Sequence, residues 1–288
     1  MKLLILGGDG MLGHRLLTTL RDDHDVVATL RQPLAMYRQW PLFSDQNAIG
    51  SVDARDWPRL GQLIRDLRPG GVINCIGVIK QRKHAVSQSA LTIEINALLP
   101  HRLHEVCAEV GARLIHFSTD CVFSGRTGGY RETDEPDAVD LYGRSKLLGE
   151  VHEAPGLTVR SSIVGLELSR RTGLIEWFLA QRGTIRGFRR AIYTGVTTAE
   201  MARFVARVLA AHHDLHDVWH LASAPISKYD LLVALARRLG RTDVEILPDD
   251  DFVCDRSLDG SRLRQVIGYE APSWDAMLTE LADEVASR

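Results

Sequence analysis

The sequence predicts an α/β protein: a Rossmann-like, doubly wound parallel sheet with a smaller α/β substrate-binding lobe at the C-terminal side. Three observations predict it. Short, wholly apolar runs alternate with helical periodicity from the N-terminus to Phe117. The first run ends in spaced glycines that open a helix. After Ser118 the rhythm loosens into polar, Gly-rich and mixed segments with no internal repeat.

The elements follow in order. Lys2 to Leu6 is a short apolar run closed by Gly7-Gly8, the pattern of a strand buried on both faces. Met11 to Leu20 puts Met11, Leu12, Leu16, Leu17 and Leu20 on one side of a helix. Val26 to Leu30 is a second strand, and a third is expected to end near Val52-Asp53. Asp56 to Leu67 reads as a helix through Trp57, Leu60, Leu63, Ile64 and Leu67, stopped by Pro69-Gly70. A strand over Gly71 to Ile76, one long helix over Ser89 to Val110 and a strand over Ala112 to Phe117 complete the alternation. Gly125 to Asp140 is a polar loop, followed by a helix from Tyr142 to Val151 and a strand from Leu157 to Arg160. Further helices are expected over Leu174–Gln181, Thr198–Ala211, Lys228–Leu239 and Trp274–Val285, with strands over Val218–Leu221 and Val244–Leu247. Residues 1–165 are assigned to a dinucleotide-binding domain, with later segments returning to it, and residues 166–288 mainly to the lobe.

Composition narrows the function. The 288 residues are 45% apolar and 25% charged, the balance of a soluble globule rather than a disordered chain. Thirty-five Lys and Arg against 37 Asp and Glu leave a net charge of −2, so no basic excess exists for nucleic acid or an anionic membrane. No apolar run reaches the ~18 residues of a membrane span. The N-terminal stretch Leu3-Leu4-Ile5-Leu6 is too short for a signal peptide. Cys75, Cys107, Cys121 and Cys254 show no metal-ligand spacing and suit reduced thiols in the cytoplasm. His212, His213 and His216 lie past a helix end in a polar turn, and no metal site is expected.

Gly7, Gly10 and Gly13 stand between the first strand and the first helix. Glycine there admits positive φ and lets a pyrophosphate approach the backbone, while the helix start offers N–H groups and a positive dipole end. Gly7, Gly10, Met11, Leu12 and Gly13 are therefore candidate cofactor contacts. The second strand ends Ala28-Thr29-Leu30-Arg31, without the acid that holds a ribose 2′-hydroxyl. Arg31 suits a 2′-phosphate, so NADP(H) is favoured and NAD(H) is the alternative. Asp53 is expected to hydrogen-bond the adenine.

Tyr142-Gly143-Arg144-Ser145-Lys146 sets a phenol and an ammonium one turn apart on a helix. A neighbouring cation favours the phenolate and so makes the hydroxyl useful in proton transfer near neutral pH. Upstream, Ser118-Thr119-Asp120-Cys121-Val122-Phe123 puts hydroxyls just past a buried strand. Taken with the glycine loop and Leu141 to Glu150, these motifs resemble the extended short-chain dehydrogenase/reductase family, and within it the dTDP-4-dehydrorhamnose reductase branch. The likeness is strong over residues 1–200 and looser beyond.

The resemblance implies an NAD(P)-dependent oxidoreductase acting on a nucleotide-sugar, with a homodimer as a compatible assembly. It makes Thr119 the hydroxyl that orients a substrate carbonyl, Tyr142 the acid/base, and Lys146 the cation that tunes Tyr142 and holds the nicotinamide ribose. It places Asn74, Cys75, Ile76, Gly77, Asn96 and Ser118 along the cofactor, Cys75 departing from the family's usual small apolar residue. Arg160-Ser161-Ser162 would line the nicotinamide end. A diphosphate-bearing substrate calls for cations. Lys80, Arg82 and Lys83, and then Arg182, Arg186, Arg189 and Arg190 ahead of Tyr193, are placed accordingly. Lys80, Thr119, Asp120, Arg186, Arg189 and Tyr193 are the candidate substrate contacts.

The same scaffold serves two other functions. An epimerase or dehydratase would keep tightly bound NAD; a dehydratase normally adds Asp-Glu after the active threonine, where this chain has Asp120-Cys121. A non-catalytic regulatory subunit would have little need of Thr119, Tyr142 and Lys146 together.

Overall fold

In a computed structural model, residues 1–79, 89–169 and 171–288 are described. Two compact units share the chain. The first comprises Met1–Ser118, Asp140–Val159 and Ala202–Val218; the second comprises Thr119–Val139, Arg160–Met201 and Trp219–Arg288. The expected first domain is residues 1–165 with later segments returning to it. The stretch after Ser118 and the residues from Arg160 onward fall in the second unit, and Ala202–Val218 returns to the first.

In the first unit, apolar strands buried on both faces build a parallel sheet. β1 (Lys2–Leu6) exposes only Lys2, while Leu3 to Leu6 are fully buried. It lies between β2 (Asp25–Thr29) and β4 (Gly71–Asn74), with Leu4 level with Val27 and Val72. β3 (Ala48–Ile49) adds to β2, β5 (Arg113–Phe117) to β4 and β6 (Gly156–Arg160) to β5, all in parallel. With β11 (Asp217–His220) the seven-stranded order is β11-β6-β5-β4-β1-β2-β3. That order reverses direction beside β1, where open α/β sheets leave a crevice at the carboxyl ends of their strands.

Helices cover the sheet. α1 (Gly13–Leu20) buries Leu16, Leu17 and Leu20. α2 (Trp57–Leu67) starts at Asp56, whose side chain accepts from the Arg59 N–H at 3.3 Å, and carries proline in its first turn. Leu60 and Ile64 of α2 join Leu4, Leu6, Val72 and Leu114 of the sheet in one apolar core. The long helix expected from Ser89 is divided. α3 (Ser89–Ile93) runs into a π turn over Glu94–Leu98 before α4 (Leu99–Val110) begins. Pro100 has no N–H to offer the carbonyl of Asn96, and the helix widens where that bond is missing.

α5 (Leu141–Leu148) is capped by Asp140, which accepts from the Gly143 N–H at 2.9 Å, and stops at Gly149 instead of reaching Val151. A Cβ on Gly149 would collide with the carbonyl oxygen of Asn96. The helix end therefore rests directly on the π turn. α7 (Thr198–Ala211) passes from the second unit into the first. Its end is tied to the sheet by Arg113, which donates to the carbonyls of Val208 at 3.1 Å and Leu215 at 2.6 Å.

The second unit is assembled from short ladders. β7 (Ile163–Val164) pairs in parallel with β10 (Val196–Thr197). β8 (Gly183–Phe188) pairs in parallel with β13 (Val244–Asp249). β9 (Ala191–Tyr193) lies between β12 (Ile226–Ser227), antiparallel, and β14 (Cys254–Asp255), parallel. α6 (Leu174–Leu179), α8 (Lys228–Arg238), α9 (Ser261–Ile267) and α10 (Trp274–Ala286) complete it. Among the described residues no helix is long and apolar enough to cross a membrane.

The Gly149 contact carries a stability prediction. Gly149→Ala must push α5 off the π turn, an overpacking that costs about 2 kcal/mol. The urea midpoint of the variant should fall well below that of the parent; an equal midpoint would contradict the contact.

Candidate active site

The turn from β1 into α1 is fixed by its glycines. Gly7 has φ +81°, a conformation that side chains rarely adopt. Its N–H donates to Thr29 Oγ1 at 3.2 Å, the Gly8 N–H to the Thr29 carbonyl at 2.9 Å, and the Gly10 N–H to the Gly7 carbonyl at 3.0 Å. A Cβ on Gly13 would strike that same Gly7 carbonyl. The start of α1 has no side-chain cap and no acidic residue in its first turn. Its dipole end is thus open to an anion. Met11 is half-buried and Leu12 buried beside it.

The segment after β4 comes alongside. The Cys75 N–H donates to the Leu6 carbonyl at 3.0 Å, and a Cβ on Gly7 would meet the Ile76 side chain at 3.0 Å. Gly77 follows, where an added Cβ would meet Asn96 Oδ1 at 3.7 Å. Burial pushes the Cys75 thiol far above its usual range, so it is an inert lining group. Arg31 is exposed just beyond β2. Buried Tyr37, which the sequence reading overlooked, organises this edge. Its hydroxyl donates to Asp9 Oδ2 at 2.9 Å and accepts from the Gln32 N–H at 3.3 Å.

Two expected cofactor side chains are engaged elsewhere. Asp53 accepts from Arg55 Nε and from the Arg55 N–H, each at 3.0 Å. That hydrogen bonding, chiefly with the Arg55 guanidinium, holds its carboxyl down to about 2. Asn96 is fully buried. Its Oδ1 accepts from the Val78 N–H at 2.8 Å, and its Nδ2 donates to the Val78 carbonyl at 2.9 Å and to Ser145 Oγ at 3.2 Å. Its amide clamps the loop after β4 to α5.

The carboxyl end of β5 meets the same helix. Ser118 Oγ donates to Glu150 Oε1 at 2.5 Å. Lys146 is buried, and its Nζ donates to the Phe117 carbonyl at 2.6 Å and lies 3.3 Å from His116 Nε2. Burial pulls the lysine down to about 8, against the opposing pull of Glu150. His116 is fully buried. Desolvation first and then the Lys146 charge keep it neutral, well below the ordinary histidine range. Asn74 closes this set from β4, with Nδ2 3.1 Å from His116 Nδ1 and Oδ1 accepting from the Ile76 N–H at 3.1 Å. Tyr142 stands one turn before Lys146 and is half-buried.

In the second unit, Thr119 has extended backbone and caps a short 3₁₀ turn over Asp120–Val122. Its Oγ1 accepts from the Cys121 N–H and donates to Asp120 Oδ1, both at 3.1 Å. Ser162 Oγ donates to Asp120 Oδ2 at 2.6 Å. Tyr193 is buried near this carboxylate. Burial, and secondarily the Asp120 charge, push its phenol far up. Its hydroxyl finds no hydrogen-bond partner among the described residues, which is rare for a buried polar atom. Arg160 does not face an open surface: it is buried, 3.3 Å from His220 Nε2, with the Phe123 ring 5.3 Å away.

Three arginines of the expected basic cluster are ion-paired. Arg186 pairs with Asp249 at 3.2 Å, Arg189 with Asp250 and Arg182 with Asp243 at 2.8 Å. The carboxylates come from β13 and the residues on either side of it, a pairing invisible without the β8–β13 register. Lys80, Arg82 and Lys83 lie outside the described residues.

A family model described as the RmlD substrate binding domain matches residues 1–287. A dTDP-4-dehydrorhamnose reductase of Mycobacterium tuberculosis is 36% identical over 155 residues, 52% of this chain and 44% of that protein. Methionine adenosyltransferase 2 subunit beta of Xenopus laevis is 32% identical over 150 residues, 52% of this chain and 41% of that protein. The chain thus spans less than half the length of these curated relatives. A crystal structure of a dTDP-4-dehydrorhamnose reductase from Bacillus anthracis, in complex with NADP, superposes with a TM-score of 0.80 at 22% identity. The match covers 98% of this chain and 99% of that one, a likeness of fold.

The two buried histidines set a pH dependence. His116 lies well below 6.5 in the folded protein, and burial first, then Arg160, brings His220 down to about 3. Below 6.5 the unfolded chain takes up protons that the folded chain refuses. Stability present above 6.5 is therefore lost as pH falls, by about 1.4 kcal/mol per pH unit for each group. The urea midpoint at pH 5 should lie clearly below that at pH 7.5; equal midpoints would contradict their neutral burial.

Proposed function

The chain belongs to the RmlD substrate binding domain family, and from that premise we propose that it is an NADPH-dependent reductase of a nucleotide-linked 4-keto-6-deoxysugar, of the dTDP-4-dehydrorhamnose reductase type. The observation that carries this reading is Lys146, buried and pinned to the end of β5 on the helix that bears Tyr142. An ammonium is costly to bury, and a purely structural helix has no use for one there.

The donor set fits the cofactor. The glycine turn brings the chain into a helix start without a side-chain cap, whose N–H groups and dipole end suit the pyrophosphate. Arg31 offers a guanidinium to a 2′-phosphate, and the Cys75-Ile76-Gly77 segment lines the way between. When bound, the reduced nicotinamide supplies the hydride. Tyr142 gives its phenolic proton to the substrate oxygen and Lys146 supports the resulting phenolate; with the cofactor bound, Lys146 would also hold the nicotinamide ribose. Thr119 orients the substrate carbonyl by turning its one hydroxyl proton from Asp120 Oδ1 to the carbonyl oxygen, while Ser162 keeps its bond to Asp120 Oδ2. The orphaned Tyr193 hydroxyl suits a sugar hydroxyl. The four free cysteines accord with a cytoplasmic enzyme.

The likeness to methionine adenosyltransferase 2 subunit beta favours one other reading, a regulatory subunit of the same fold. The two part on turnover. NADPH oxidation in the presence of dTDP-4-dehydrorhamnose is expected of the purified chain. Tyr142→Phe and Thr119→Ala should each lower kcat about a hundredfold or more while cofactor affinity changes little. Cofactor binding without oxidation over a panel of keto-sugar nucleotides would support the subunit instead. Tightly bound NAD with no net NADPH consumption would support an epimerase. A Tyr142→Phe variant of parental activity would remove Tyr142 from the chemistry.

A further inference from the structure

His116 has no role in the chemistry assigned above, yet it sits between Asn74 and the lysine of that chemistry. The hydrogen bonds around it admit one arrangement. The Ile76 backbone N–H can only donate, so the atom 3.1 Å from it must be the Asn74 oxygen. The Asn74 NH₂ group is therefore the one that faces His116 Nδ1 at 3.1 Å. An NH₂ group needs an acceptor, which leaves Nδ1 without a proton. A neutral imidazole then carries its proton on Nε2, and Nε2 lies 3.3 Å from Lys146 Nζ.

We propose that Asn74 locks His116 as the Nε2–H tautomer, so that the imidazole presents a donor to Lys146 and opposes the ammonium form of that lysine. The opposite tautomer would set Nδ1–H against the Asn74 NH₂ group. Turning the amide to relieve that clash would set its NH₂ against the Ile76 N–H. With Nε2–H in place, a neutral Lys146 amine accepts from His116 and still donates to the Phe117 carbonyl at 2.6 Å. As an ammonium, the lysine keeps the Phe117 bond and meets a donor at His116. His116 is thus a positioning residue that acts through Lys146.

The other groups facing the pair are known. His101 of α4 and the Lys146 charge both disfavour protonation of His116, and burial does so most. Glu150, just beyond α5, favours the Lys146 ammonium. Tyr142 stands one turn earlier on α5. Against Glu150, burial and the locked donor bring the lysine's charge change into the range where an enzyme works. The consequence for catalysis rests on Lys146 supporting Tyr142: the lock sets the alkaline limit of the pH window in which that support is charged.

The tautomer can be read without turnover. In the full chain with ¹⁵N-labelled histidine, His116, assigned through its backbone correlations, is expected to show a protonated Nε2 and an unprotonated Nδ1 throughout pH 6 to 8. An Nδ1–H or imidazolium pattern in the parent protein overturns the proposal, whatever the enzyme's activity. Asn74→Asp keeps an acceptor for the Ile76 N–H and gives Nδ1–H an acceptor. It should convert His116 to the Nδ1–H tautomer and raise the Lys146 midpoint, followed through its ¹³Cε shift, by about one pH unit or more, the worth of one hydrogen bond. The alkaline limb of NADPH oxidation should move with it. A raised midpoint with His116 still Nε2–H would be a through-space effect of the new carboxylate and would overturn the lock. A converted tautomer with an unmoved Lys146 midpoint would overturn its action on the lysine.

Discussion

The first unit turns on the contact between the end of α5 and the π turn around Asn96. Pro100 cannot bond the Asn96 carbonyl, the helix widens there, and Gly149 alone is slim enough to lie against the exposed oxygen. Asn96 then spends its whole amide joining Val78 to Ser145. Ser118 and Glu150 fasten the other side of α5 to the end of β5. With the helix held at both edges, Lys146 meets the buried carbonyl of Phe117 and the His116 ring. The position of the lysine is therefore a consequence of backbone packing, and Tyr142, one turn earlier, inherits it.

That placement explains how a near-neutral chain can bear a charged site. A net charge of −2 offers no basic excess for a polyanion and leaves room for a diphosphate. The positive features of the first unit are local: an uncapped helix start, an exposed Arg31 and one buried lysine. In the second unit Arg182, Arg186 and Arg189 are paired with Asp243, Asp249 and Asp250. The same unit carries a polar set, Thr119, Asp120 and Ser162, and the Tyr193 hydroxyl, which has no partner among the described residues.

The sheet was legible because parallel strands are apolar on both faces, so Lys2–Leu6 or Gly71–Asn74 stands out from the helices between. The glycine turn was legible because backbone geometry dictates residue type: Gly7 needs positive φ and Gly13 has no room for a Cβ. The second unit was less so. Two-residue ladders such as β7, β10, β12 and β14 are too short to show alternation, and the seven-residue α9 offers only Leu263 and Ile267 as buried anchors. The candidate residues Thr119, Tyr142 and Lys146 stand in motifs that a sequence displays, while the residues that hold them do not. His116 lies 42 positions from Asn74 and 30 from Lys146, and such contacts exist only once the strand order is known. Asn74 and Asn96 were recognised, but their amides support neighbours rather than face outward. Asp53 was recognised too, but Arg55 holds it.

The central claim is that this chain reduces a keto-sugar nucleotide with its own bound nicotinamide. Incubating it with dTDP-4-dehydrorhamnose and NADPH deuterated at the transferable C4 position, then reading the product by mass spectrometry and NMR, tests that most directly. The account predicts one deuterium at the sugar C4 for each NADPH consumed. Unlabelled sugar recovered with the NADPH intact, from protein that binds the cofactor, would contradict it.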